Sequence, residues 1–142
     1  MTGRPEVEAP SGRFGPQTAH VEAFISAIRD LTDAEAENIN RAWYAERSDA
    51  WYDAWYDARY AARYAAWSAE RSAERSAAWY AAWYAARYAA RDTAQALVVA
   101  DLVGQYGLTR EHLDTLVGPC RTVPRLAAII DAALADTGEV AS

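Results

Sequence analysis

From Trp43 to Asp92 the chain repeats in units of four residues: WYAE, RSDA, WYDA, WYDA, RYAA, RYAA, WSAE, RSAE, RSAA, WYAA, WYAA and RYAA, closing on a partial RD. Position one is always Trp or Arg, position two is Tyr or Ser until Asp92, and positions three and four are Ala, Asp or Glu. Neither Gly nor Pro occurs from Asp33 to Val103, and Ala recurs throughout, so the sequence predicts an α-helix with no internal stop signal. A helix of roughly 70 residues would extend on the order of 100 Å, whereas a compact chain of this size has a radius of gyration of about 15 Å. Either the helix bends back, with the ring-poor interval Ser68 to Ser76 as the place for it, or other copies stabilise it.

The period also limits how the helix can pack. Four residues turn an α-helix through about 400°, so each unit lies roughly 40° further round than the last and no single face collects the rings. A sustained period of four exceeds that of right-handed supercoils, which disfavours ordinary coiled-coil packing. The i, i+4 rows instead form a tall Trp/Arg and Tyr/Ser double ridge beside a low Ala groove, and such ridges favour crossings near about −50°. Crossed helices would then meet in patches: Trp51, Tyr52, Trp55 and Tyr56; then Tyr60, Tyr64 and Trp67; then Trp79, Tyr80, Trp83, Tyr84 and Tyr88. Arg beside these rings can stack on them, and the pairs Trp55 with Arg59, Trp67 with Arg71 and Trp83 with Arg87 stand at the right spacing. The regularity itself needs no functional cause. Each swap within the repeat is one base in GC-rich codons, so slippage of a twelve-base unit would write the same pattern.

All six Trp and eight of the nine Tyr lie between Trp43 and Tyr88, while Leu, Ile and Val are concentrated outside that span. The chain therefore has two aliphatic ends and an aromatic middle. Residues 1–16 carry Gly3, Pro5, Pro10, Gly12, Gly15 and Pro16 and read as a flexible arm. Residues 17–31 read as a short amphipathic helix, with Thr18 as its cap and Val21, Phe24, Ile25 and Ile28 on one face. Thr32 with Glu35 makes the capping box that opens the long repeat helix over 32–106. Residues 107–138 read as a C-terminal helical cap, with Thr109 and Pro124 opening its two helices, and 139–142 as a tail. The expected fold is all-α: one long Ala/aromatic helix flanked by shorter ones, packed in a homo-oligomer.

Little in the chain points to catalysis. His20 and His112 sit in different predicted helices without a partnered Cys, His or Asp motif, and Gly104 and Gly107 around "QY" end a helix and do not cradle a phosphate. Asp49, Asp53 and Asp57 form an acidic strip at i, i+4 that lacks a converging further ligand for a metal. It reads as a solvated strip, or as one that faces Arg75, Arg87 or Arg91 of a neighbouring segment. No cofactor is expected. Cys120 is alone, which excludes an internal disulfide and leaves a structural thiol. The net charge of −6 opposes nucleic-acid binding, although alternating rings and Arg could stack single-stranded bases if a basic groove existed. With no apolar leader and no long apolar run, the expectation is a cytoplasmic protein without a membrane span.

The segment "ALVVADLVGQYGLTREHLDTLVGPCRTV", Ala96 to Val123, and the preceding "FISAIRDLTDAEAENINRAW" resemble uncharacterised Ala/Trp/Arg/Tyr-rich repeat proteins of high-GC actinobacteria and their phages. Relatives of that kind often carry Trp at the position of Cys120. The resemblance implies a source and transfers no catalytic residue; the absence of Lys among the 14 basic residues suits the same GC-rich origin. The expected function is a non-enzymatic scaffold or interaction protein that self-associates through its aromatic and Arg patches. The alternative is a compact monomeric regulatory or immunity-type binding module.

Overall fold

The computed structural model describes residues 13–81 and 84–135, and among them every regular element is helical. Seven α-helices follow in order: α1 (Thr18–Ile28), α2 (Asp33–Glu46), α3 (Asp49–Ala65), α4 (Trp67–Tyr80), α5 (Tyr84–Val98), α6 (Arg110–Val117) and α7 (Pro124–Ala135). Short 3-10 turns occupy Gly15–Gln17, Ala100–Leu102 and Gly118–Thr122.

The repeat thus forms separate helices, and the single helix expected over 32–106 is corrected. The first break falls at Arg47, whose ψ of 99° leaves the helical region. Ser48 restarts the chain as an N-cap, its hydroxyl accepting from the Trp51 amide, with Asp49 in the first turn. The second break is at Ala66, with φ −149° and ψ 31°. No capping side chain assists there; Ala66 N donates to Ala62 O and Glu70 N to Ala66 O, and the helical ladder is interrupted between these two bonds. The third follows Tyr80, where Ala81 is extended at ψ 142°. The bend expected at Ser68 to Ser76 is not seen: this interval lies wholly inside α4, because serine's polarity is met at a helix surface and nothing in it obstructs the backbone.

Packing inverts the expected use of the repeat. Alanine faces inward: Ala54, Ala58, Ala61 and Ala62 from α3, Ala73 and Ala77 from α4, and Ala85, Ala86, Ala89 and Ala90 from α5 are all buried. α4 and α5 lie against each other through these small side chains, which permit close approach of the two backbones. α5 is the central element, touching α1, α2, α3, α4 and α6. Its last seven residues, Asp92, Thr93, Ala94, Gln95, Ala96, Leu97 and Val98, are buried on every face, as a helix surrounded by others must be.

The two aliphatic ends meet around it. α1 packs on α7, bringing Val21, Phe24 and Ile28 into one core with Leu126, Ile130 and Leu134. Arg125 at the start of α7 ties the ends further, donating to Glu35 Oε2 at 2.5 Å and to the Asp30 carbonyl at 3.0 Å. The expected capping box is present at Thr32 with Glu35, and Thr109, expected as a cap, forms a second box with His112; Thr18, expected to cap α1, is instead its first residue, and Gln17 before it makes no side-chain cap bond. The expected arm is shorter than 1–16: Phe14 is buried in this core, and Thr18 holds the turn by accepting from Phe14 N and donating to Gly15 O. Residues 1–12 of the arm, the tail 139–142 and Trp83 lie outside the described residues.

The alanine contact yields a direct test. Ala77→Leu inserts three carbons into a filled seam and is expected to lower the unfolding free energy by about 1–3 kcal/mol, whereas Ala45→Leu, exposed on α2, is expected to change it by less than about 0.5 kcal/mol. Urea denaturation of the two variants at equal concentration makes the comparison.

Candidate functional site

Among the described residues two rings of the repeat are buried, and they converge on the residue that ends it. Trp43 from α2 and Trp51 from α3 are 6% and 8% exposed, and each indole N–H donates to Asp92 Oδ2 at 3.1 Å. An indole buried without an acceptor would lose a hydrogen bond to water, so one carboxylate oxygen from α5 satisfies both. Trp55 stacks on Trp51 with an interplanar angle of 17°, and Tyr88 lies 5.2 Å from Trp43. Arg47, released by the first break, places its guanidinium 4.8 Å and 5.6 Å from the Trp43 and Trp51 centroids. The result is a shallow pocket of about 300 Å³ with aromatic walls and Asp92 at its base. Burial pushes the Asp92 carboxyl up to about 6, against the lowering effect of the two indole bonds.

A second buried polar group sits where α4 crosses α5. Glu70 is 0% exposed and pairs with Arg59 Nη1 at 3.4 Å. With its amide nitrogen turned to the carboxyls, Gln95 of α5 donates to Glu70 Oε2 at 2.7 Å and to Glu74 Oε2 at 2.9 Å. Burial pushes the Glu74 carboxyl up to about 9, and its hydrogen bond with Glu70 adds to the effect, so Glu74 carries its proton at neutral pH. Cys120 is also buried, and burial pushes its thiol up to about 12.

Apart from Trp55 and Tyr88, the other described rings of the repeat point outward. Tyr52, Tyr56, Tyr60 and Tyr64 form an exposed i, i+4 ladder on α3. Tyr106 extends the ladder, stacking on Tyr64 at 6.1 Å, from a loop in which it takes φ 54° between Gly104 and Gly107. Trp67, Trp79, Tyr80 and Tyr84 are exposed as well, Trp79 at 75%. Of the residues expected in self-association patches, Trp51 is therefore core, and Trp55 and Tyr88 are half-buried against it. Stacking of Arg59 on Trp55 and of Arg71 on Trp67 is present at 5.0 and 5.5 Å. The acidic strip does not meet the expected arginines within the chain. Asp57 pairs instead with His112 Nε2 at 3.3 Å, Arg91 lies over Tyr88, Arg87 and Arg75 are exposed, and Asp49 and Asp53 face solvent.

Among the described residues no group of three or more Asp, Glu, His or Cys could hold a metal ion, and no helix is long and apolar enough to cross a membrane. No family model, curated protein or solved structure matches the chain.

Both buried acids set a pH dependence. Each has a folded-state pKa above its ordinary value, so the folded state holds protons that the unfolded chain releases. The stability they contribute is present at low pH and is lost as pH rises from about 4 to about 6 for Asp92 and on to about 9 for Glu74. Glu74→Gln keeps a donor toward Glu70 and is expected to flatten the upper part of this decline and to raise the melting temperature at alkaline pH, measured by thermal unfolding from pH 5 to 9. At Asp92 the acceptor matters more than the charge. Asp92→Ala, which orphans two indole donors, is expected to cost about 2 kcal/mol or more, and Asp92→Asn less than half of that, by denaturant titration.

Proposed function

We propose that the protein is a non-enzymatic helical interaction module that self-associates through the ring-bearing surface of α3 and its neighbours. One observation carries this reading: the tyrosine ladder Tyr52, Tyr56, Tyr60 and Tyr64 stays outside although the chain has already closed a core of its own. Contiguous exposed rings of this extent exceed what a soluble monomer usually leaves uncovered. Tyr, Trp and Arg are also the residues that dominate binding energy where proteins meet, because they bury large area at small conformational cost.

A second copy suits the surface because the surface is self-complementary. Exposed Arg63 and Arg71, both over the Trp67 ring of their own chain, lie beside exposed rings, so a copy related by a two-fold axis can add a ring to the open face of each guanidinium. The alternative, a compact monomeric module that binds a different protein through the same ladder, is favoured by one feature: the core residues are buried within a single chain, so no partner is needed for folding. Single-stranded nucleic acid fits the ladder less well, since the chain is acidic overall and Asp53 and Asp57 flank the tyrosines. The high-GC actinobacterial or phage source and the cytoplasmic setting belong to the same reading.

The repeat supplies its own conservative variant, since it already uses Ser in the tyrosine row. Sedimentation across concentration is expected to give a mass that rises above 15.6 kDa for the natural chain. A Tyr56→Ser, Tyr60→Ser, Tyr64→Ser variant is expected to need roughly tenfold higher concentration for the same rise. A natural chain that stays monomeric throughout overturns self-association and leaves the heterologous partner.

A further inference from the structure

Above the buried Glu70 and Glu74 pair, the surface opens into a pocket of about 340 Å³ between α3, α4 and α5. Four arginines line it, Arg59 from α3, Arg71 and Arg75 from α4 and Arg91 from α5, together with Trp67 and Glu74. Arg71 and Arg75 stand one helical turn apart, about 6 Å along the axis, and Arg91 faces them from the neighbouring helix. Such convergence is unexpected in a chain with 20 acidic and 14 basic residues.

The acids do not neutralise it. Glu70 serves Arg59, while the other ion-paired carboxylates lie elsewhere: Asp57 on His112, Asp114 and Asp131 on Arg121, Glu35 on Arg125. Arg71 and Arg91 contact ring faces, of Trp67 and Tyr88, and Arg75 has no anionic partner among the described residues. Against the four guanidinium groups stand Glu70, paired with Arg59, and Glu74, which feels Arg59 and Arg91, so the pocket keeps an excess of positive charge that an anion would relieve.

We infer that this pocket binds a diphosphate group, with Arg71 and Arg75 on one side and Arg91 on the other. Guanidinium is the side chain best matched to phosphate oxygens, because its parallel N–H groups bond two of them at once. A single oxyanion would engage one guanidinium well. Groups spread along a helical turn and across to a second helix suit two linked phosphates. The diphosphate can be free or part of a nucleotide, and in the second case the exposed Trp67 ring at the pocket's edge is placed to stack on the base. The tyrosine ladder contributes nothing to the pocket; Arg71 and Trp67 also belong to the surface proposed for self-association, whereas Arg75 and Arg91 do not.

The test is calorimetric titration of the full chain at about 0.15 M salt with pyrophosphate, ADP and sulfate. Saturable one-site binding of pyrophosphate or ADP is expected, with sulfate at least tenfold weaker. Arg71→Gln with Arg75→Gln, both exposed and so tolerated by the fold, is expected to weaken binding by tenfold or more, and Arg87→Gln, exposed and outside the pocket, to leave it unchanged. ADP binding tighter than pyrophosphate, with the difference lost in Trp67→Ala, assigns the ligand as a nucleotide; equal affinities assign the free diphosphate. The inference is overturned if no saturable binding occurs below about 10 mM, if sulfate binds equally well, or if Arg87→Gln weakens binding as much as the double variant.

Discussion

A row of alanines repeated every four residues rotates by about 40° per step on an α-helix, so it can face one neighbour for only three or four steps before it turns away. The rest of the structure follows from that mismatch. α3 and α4 are 17 and 14 residues long, about four units each, α5 carries the last two units of the repeat, and each break lets the next helix present its small side chains to the centre again. In α3 the inward residues are mainly from position four, Ala54, Ala58 and Ala62; in α4 they are from position three, Ala73 and Ala77. A continuous helix would have carried the second set well round the axis from the first. The alanines that a perfect repeat scatters around a rod are thereby collected into one core.

Collecting the alanines fixes where everything else goes. Small side chains bring α4 and α5 together, and no room remains between them for Trp or Tyr. The rings are left at the surface, except where the repeat meets its borders. There Trp43 and Trp51 fold over Asp92 and close the bundle against α2, with both indole nitrogens satisfied by one oxygen. The polar substitutions inside the repeat follow the same geometry. Glu70 and Glu74 occupy the position that is otherwise Ala in the units before and after them, so they are carried toward α5 and meet Gln95, which holds both. Protonation of Glu74 and pairing of Glu70 with Arg59 make this burial tolerable.

Much of this was legible before the structure. The absence of Gly and Pro from 33 to 103 points to helix, which most of the described residues there adopt between short breaks, Thr32, Thr109 and Pro124 open helices where their capping chemistry says they should, and Arg stacks on Trp at i, i+4. The break at Ser48 also had a signal, Ser followed by Asp, but the RSDA unit looks like its neighbours and a cap is hard to see inside a repeat. Ala66 had none, since no Gly, Pro or capping side chain stands at this break. Asp92 was visible as the point where Tyr or Ser first fails in position two. Its partners 41 and 49 residues away were not visible, since only folding brings them to it. The acid pair was hidden in an interval that composition alone marks as polar surface.

Small-angle scattering extrapolated to zero concentration addresses the central claim, that the period forces the repeat to break and fold around α5. A folded chain of this length gives a radius of gyration of about 15 Å, somewhat larger with extended termini. A continuous helix over the repeat, on the order of 100 Å long, gives roughly 30 Å. A value in the first range agrees with alanines gathered into a single core; a value in the second contradicts it.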